Sequence, residues 1–225
     1  MKTLISQPNL VEQVRDAILA EIASGAFAPG DRIIQEQLAQ ALGVSRQPVQ
    51  QALVLLRNQG VLQDAPGRGL LVAQLDADHV QHMYEMRAVI EGLAARRAAE
   101  QSAERAAKSG PALIDAGRRA VVTGSVVKMI AADMRFHEFI YGLSGNPLIA
   151  PALETHLTYT QRVMGQVLIS DDKPRDIWDQ HAAILKAIAK GDGERAEALV
   201  RSHLTQAADF MVARLRGKLI AERAA

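Results

Sequence analysis

The chain contains no cysteine, which excludes disulfides, thiolate zinc sites and thiol redox sensing; any metal must be held by histidine and carboxylate side chains. Aromatic residues make up only 4% of the 225 positions although 48% are apolar, so the core must come largely from Ala and Leu, a composition that suits helices. Apolar runs long enough to span a bilayer are missing, and the N-terminus lacks the apolar core of a signal peptide, so a cytoplasmic location is expected. Charge of one sign is not in excess either. The formal net charge is +1, and residues 1–75 hold six basic and six acidic side chains, so bulk electrostatics does not recruit this part of the chain to a polyanion.

What the sequence does contain is concentrated between Leu38 and Leu53. Two short helical patterns meet at Gly43, which tolerates the left-handed backbone that ends a helix, and Ser45 stands where it can cap the next one. Pro48 falls in the first turn of that second helix, where a missing N–H costs little. Val49, Ala52, Leu53 and Leu56 then form a single apolar stripe, while Arg46, Gln47, Gln50 and Arg57 share the other face. Arg and Gln carry the forked donors and acceptors that read guanine and adenine edges, so the face suits a recognition helix in a major groove; a solvated face on an ordinary helical hairpin has the same pattern.

The flanks extend the pattern. Leu10, Val14, Ala17, Ile18 and Ile22 mark an amphipathic helix ending near Gly25, followed by the turn Pro29-Gly30-Asp31 and a short strand at Arg32-Ile33-Ile34. Downstream, Val61-Leu62-Gln63 and Leu70-Leu71-Val72 flank Ala65-Pro66-Gly67-Arg68-Gly69 as a hairpin would. Helix, strand, helix, helix, hairpin is the order of a winged helix-turn-helix. With Pro29-Gly30-Asp31, Leu38-Ala39, Gly43 to Leu53, Gly60, and Gly67 with Gly69, residues 10–73 resemble the GntR family of bacterial transcription regulators. The resemblance implies DNA contacts from Arg46, Gln47, Gln50, Arg57, Arg68 and Gly69. Gln50 and Gln51 stand where that family usually has Arg and Glu, which removes a guanine-type fork and leaves an adenine-type one. Arg46, Arg57 and Arg68 are grouped against one acid, Asp64, between positions 46 and 68; so few cations predict weak nonspecific binding and a shallow salt dependence.

After a polar link at Gln74–Asp78 the periodicity is helical almost throughout. Helices are expected at roughly 78–100, 103–122 (with a break at Gly110-Pro111), 125–143, 146–168, 174–190 and 192–222. The expected organisation is mostly α: a winged helix-turn-helix domain over 1–75 with a small β-hairpin wing, then an all-α bundle of about six helices over 76–225. Within that bundle Val126, Ile130, Asp133, His137 and Ile140 form one stripe, and two of its members ionise. His181 sits on the apolar stripe of Ile177/Trp178 and Ile184/Leu185/Ile188, and His203 on that of Leu199/Val200 and Ala207. A buried carboxylate and three imidazoles all need partners, and one divalent metal would satisfy the four. Asp133 and His137, spaced i, i+4, project toward a common point as helical ligand pairs do. A single histidine on such a stripe is more often a hydrogen-bonded core residue; three helices repeating the anomaly favour the metal.

Here the sequence resembles the FadR-like branch of the same family, whose helical effector domain, termed FCD, carries Asp-x-x-x-His on one helix and single histidines on two later ones. The resemblance implies a divalent ion, zinc or alternatively nickel, on Asp133, His137, His181 and His203, with open positions for a carboxylate of a small organic acid. It also places Arg87 against the effector, although Arg87 and Glu91 at i, i+4 equally make a surface ion pair. Asn146 is either an effector contact or a helix cap, and His156 borders an apolar stripe from which it can line a cavity. The expected protein is a homodimeric, ligand-responsive regulator, a repressor by preference, on a palindromic operator, because single modules bury little DNA surface. Two alternatives remain: a metal-dependent hydrolase, and a DNA-binding protein whose metal is purely structural. The hydrolase lacks a base, since Glu138 points about 100° away from His137 around the helix, and Tyr141 stands where His-Glu-x-x-His needs its second histidine.

Overall fold

The computed structural model describes residues 10–168 and 177–224. The chain divides into two compact units, Met1–Gln74 and Leu75–Ala225.

In the first unit α1 (Leu10–Ser24), β1 (Arg32–Ile33), α2 (Gln35–Leu42), α3 (Arg46–Asn58), β2 (Leu62–Asp64) and β3 (Leu70–Val72) follow one another. The strands form an antiparallel sheet in the order β1-β3-β2, with Leu62 opposite Val72 and Ile33 opposite Leu70. Gly43 ends α2 at φ 64°, the left-handed conformation its lack of a Cβ permits, and its N–H closes back onto the carbonyls of Ala39 and Gln40. Ser45 takes the N-cap position of α3 in extended conformation but makes no side-chain cap bond, so Pro48 and the turn itself, rather than the hydroxyl, start this helix. Ile18, Val49, Ala52, Leu56, Val61 and Val72 are fully buried and, with Leu38 and Ala39 of α2, join the three helices to the sheet. At about 25 cal/mol per Å² of apolar surface, side chains the size of Ile18 or Leu56 each contribute on the order of 2 kcal/mol when buried.

The second unit is all α: α4 (Ala77–Thr123), α5 (Val126–Leu143), α6 (Ile149–Leu168), α7 (Ile177–Ala189) and α8 (Gly193–Ala224). The start of the helix expected at 174 lies outside the described residues. Asp76 caps α4 by accepting from the Asp78 N–H at 2.9 Å, and Ser125 caps α5. The two helices expected over 78–100 and 103–122 meet at a kink at Ser102 (φ −140°, ψ 25°), at the boundary expected between them, and run on as one element, whereas Gly110-Pro111 does not interrupt it. Gly110 has a packing role instead. A Cβ there would stand 2.3 Å from Leu185, and one at Gly117, two turns on, 2.0 Å from the Trp178 ring. Two missing side chains on one face of α4 thus let α7 approach closely, and α7 carries His181.

Candidate metal centre and reading helix

Asp133 and His137 come from α5, His181 from α7 and His203 from α8, and the bundle brings all four together. They are 7%, 2%, 0% and 4% exposed, so the four polar groups share a space closed to solvent. The three histidines each offer a ring nitrogen within 4.8 Å of the other two. His181 Nε2 lies 3.3 Å from His203 Nε2 and 3.6 Å from Asp133 Oδ1, and His137 Nε2 lies 3.9 Å from Asp133 Oδ2. Phe136 stacks on His181 at 4.3 Å between centroids and Trp178 meets it edge-on at 4.7 Å, which fixes the ring plane.

The outward nitrogens are held unequally. His137 Nδ1 lies 2.7 Å from Glu91 Oε2, and His203 Nδ1 lies 2.8 Å from Gln180 Oε1. Both oxygens accept and neither donates, so at these distances the favoured tautomer of each ring carries its proton on Nδ1 and turns the Nε2 lone pair inward. Only the His203–Gln180 contact has hydrogen-bond geometry; Glu91 Oε2 meets His137 as a close ion-pair contact. Gln180 is itself oriented by donating to Gln206 Oε1 at 3.1 Å. His181 Nδ1 has no hydrogen-bond partner among the described residues. Inward lone pairs on imidazoles, a carboxylate and no cysteine form a donor set suited to zinc or nickel, and the residues present fit such an ion.

Electrostatics separates the histidines. Burial holds His181 well below the ordinary histidine value, helped by His203 and His137, and it lowers His203 to about 3. For His137 burial pulls in the same direction, but the adjacent Glu91 carboxylate outweighs it and the net shift is upward. Burial raises Asp133, against the attraction of His137. A proton therefore competes with an ion first at His137, whose pKa is raised, and only at lower pH at His181 and His203, whose values burial depresses. Below the His137 value the ion's apparent affinity is expected to fall about tenfold per pH unit, the slope of one proton. Competition against a zinc indicator between pH 8 and pH 6 checks this; a slope of three would mean that the rings titrate independently at ordinary values.

Arg87 is 1% exposed and so is Glu91. The i, i+4 pair read from the sequence does form, with Arg87 Nε donating to Glu91 Oε1 at 2.6 Å, but it lies in the core rather than on the surface. Arg87 Nη1 donates to Thr160 Oγ1 of α6 at 2.9 Å, and that hydroxyl donates to the carbonyl of His156 at 2.9 Å. His156 is half-buried, its pKa lowered by burial and by the Arg87 charge. Asn146 sits at the α5–α6 turn, where its Oδ1 accepts the Leu148 N–H at 3.0 Å, and it lines a surface cleft of about 410 Å³ with Glu138 and Tyr141. Sequence reasoning missed Glu91, Gln180 and Thr160 as parts of this network. Glu91 had a signal: it continues the buried stripe Val80, Met83, Tyr84, Arg87, Ala94, Ala95, Ala98.

On the first unit, Arg46, Gln47, Gln50 and Arg57 line an exposed face of α3, and Arg68 and Gly69 are exposed at the β2–β3 turn. Two of the cations are already paired: Arg46 with Glu36, and Arg57 with Asp64 at 3.4 Å. Exposed pairs of this kind are worth little and can exchange for phosphate, but Glu36 adds a second acid to the group of three arginines. The Arg32 guanidinium donates to the Arg68 carbonyl and stands 3.4 Å from where a Gly69 Cβ would be, so a side chain at 69 would press on the wing's brace.

Comparison with known proteins agrees with this architecture. Residues 10–72 match the bacterial regulatory proteins of the gntR family, and residues 82–206 match the FCD domain. The chain is 28% identical to the HTH-type transcriptional regulator YdhC of Bacillus subtilis, over 81% of this chain and 82% of that one. It is 25% identical to the HTH-type transcriptional repressor RspR of Escherichia coli, over 87% and 86%. Its fold matches the Escherichia coli McbR/YncC structure with a TM-score of 0.80 at 21% identity, covering 92% of this chain and 98% of that one. Among the described residues no helix is long and apolar enough to cross a membrane. With a helix-turn-helix unit followed by an all-α unit that carries a buried histidine triad, the chain belongs to the GntR family of DNA-binding transcription regulators, which are not enzymes, and carries a C-terminal FCD domain.

Proposed function

We propose that this regulator is a metal-dependent sensor of a small carboxylate, and that it represses transcription from a palindromic operator as a homodimer. The observation that carries the reading is the meeting of three imidazoles and the Asp133 carboxylate from three helices in a closed apolar space. A divalent ion, zinc or nickel, bound by Asp133, His137, His181 and His203 supplies Lewis acidity there and draws an anion to its open positions. Charge balance supports the anion. Arg87 and Glu91 cancel, and a dication against Asp133 leaves one positive charge that a carboxylate neutralises. Arg87 remains the candidate for contact with the rest of the effector, beside His156; Asn146 is the weaker candidate, since its side chain is used in the α6 turn.

Other features support the remaining parts. Met86, Val89 and Leu93 form an apolar stripe on α4 that is 45–54% exposed, the kind of surface a second copy covers. The repressor assignment takes support from the name of RspR. Arg46, Gln47, Gln50, Arg57, Arg68 and Gly69 are the residues proposed to meet DNA, with domain limits at 1–75 and 76–225. For an effector to control the operator it must bind the DNA-competent and DNA-incompetent arrangements with different affinities.

The test begins with operator selection from random DNA, followed by anisotropy titrations with zinc-loaded and chelator-stripped protein against a panel of small carboxylates. The sensor reading expects one or more acids to bind, and to lower operator affinity 5–150-fold, the ordinary range of such coupling, only when the ion is present. A stripped protein that merely melts earlier and still answers the acids equally would leave the ion a purely structural role.

A further inference from the structure

Glu91 is almost wholly buried, and its two oxygens have different neighbours. Oε1 takes the Arg87 Nε–H at 2.6 Å, and Oε2 lies 2.7 Å from His137 Nδ1. Neutralising Arg87 needs only the first of these contacts. The second favours a tautomer: a carboxylate oxygen 2.7 Å away, itself without any hydrogen-bond partner among the described residues, repels a ring lone pair, so Nδ1 holds the hydrogen and Nε2 faces Asp133. The other rings are held less firmly, His203 by the neutral Gln180 carboxamide and His181 by ring packing. Among the described residues His137 is thus the one imidazole of the three with a carboxylate behind its outward nitrogen. That carboxylate is tied through Arg87 to Thr160, so α6, α4 and α5 share one continuous chain of polar contacts.

We propose that Glu91 is the positioning residue of this centre, fixing His137 in the orientation that binds an ion and linking it to Arg87. This rests on the reading of Asp133, His137, His181 and His203 as ion ligands. A carboxylate behind a ligating imidazole fixes the ring and raises its basicity, and losing such a partner typically lowers metal affinity 10–100-fold. Any anion that draws Arg87 away from Glu91 alters the support of His137, so the ion and the arginine do not act independently.

A lone Glu91→Gln would strand the Arg87 charge in the core, whereas a lone Arg87→Gln leaves the Glu91 carboxylate with the His137 ring as its remaining partner. The test therefore compares Arg87→Gln, which breaks the ion pair but keeps the carboxylate behind His137, with the double variant R87Q/E91Q, which removes both charges. Each variant is checked for a native circular-dichroism spectrum before binding is read. Co(II) titrated into stripped full-length chains is the probe, followed by its visible absorption. R87Q is expected to bind within a few-fold of wild type, and R87Q/E91Q about 10–100-fold more weakly. A double variant that binds like wild type overturns the proposal, as does an R87Q chain that loses as much as the double, because Glu91 would then serve only the ion pair. A measurement on the stripped wild-type chain needs no variant: proton NMR should show a slowly exchanging His137 Nδ1–H, and its absence also overturns the proposal. Wild-type protein that takes up no Co(II) is a separate result, which brings down the ion reading itself while the Nδ1–H resonance still reports on Glu91.

Discussion

Replacing His181 with phenylalanine should remove the stabilisation that an ion brings while changing the stability of the metal-free protein little. The ring is fully buried, flanked by Phe136 at 4.3 Å and Trp178 at 4.7 Å, in a site shaped for an aromatic side chain. Its Nδ1 has no partner among the described residues. Leaving a buried polar atom unpaired costs about 1–3 kcal/mol; phenylalanine removes that cost at Nδ1 but deprives His203 Nε2 of its 3.3 Å contact, so the two effects offset in the metal-free protein. The same substitution deletes an ion ligand. Zinc at a thousand times its dissociation constant stabilises a folded chain by about 4.1 kcal/mol. For a protein of this size that is a rise in Tm on the order of 10 °C. Calorimetry with and without zinc should therefore show wild type gaining and His181→Phe not gaining, from a metal-free Tm close to that of wild type. An equal gain in both proteins would mean that His181 does not touch the ion.

The second large effect is expected where a glycine makes room for the site. At Gly117 a Cβ would lie 2.0 Å from the Trp178 ring, far inside any contact that real side chains make. Trp178 cannot give way cheaply, because it is 3% exposed and packed edge-on against both Phe136 and His181. Relief must come from α7 moving away from α4, and His181 travels with it, one turn from Trp178. Overpacking of this kind costs about 1–3 kcal/mol or more, so Gly117→Ala should lower Tm by several degrees and weaken ion binding with it. Gly142 in α5 provides the control. A Cβ there meets nothing within 4 Å, and Gly142→Ala should raise stability by up to about 1 kcal/mol through helix propensity alone. If both alanines behave alike by thermal melts, the close approach of α4 and α7 is not what positions His181.

These two cases show what the sequence can and cannot disclose. The reading helix was legible because its signals are local: a left-handed glycine at 43, a proline in the first turn, and one apolar stripe from Val49 to Leu56. The four polar residues of the centre were legible for the opposite reason, since each violates the apolar pattern of its own helix. Glu91 escaped because it lies i, i+4 from Arg87, which is the commonest arrangement of a solvated ion pair, and only the surrounding stripe reveals that this face is buried. Gln180 and Gly117 carry no local signal. Gln180 is adjacent to His181 in sequence yet holds His203, and the role of Gly117 exists only once Trp178 is packed against it. The break expected at Gly110-Pro111 failed on the same ground, since a glycine that reads as a helix stop is a packing gap for Leu185, whereas the boundary expected between 100 and 103 is present as the kink at Ser102.

The account turns on whether an ion is held where Asp133, His137, His181 and His203 converge. X-ray absorption at the zinc edge, on full-length protein loaded with one equivalent, tests this most directly. The predicted spectrum has only nitrogen and oxygen neighbours at about 2.0–2.2 Å, with the multiple-scattering signature of three imidazoles that drops to two in His181→Phe. Zinc that washes away at neutral pH, or a spectrum unchanged by that substitution, would contradict the account.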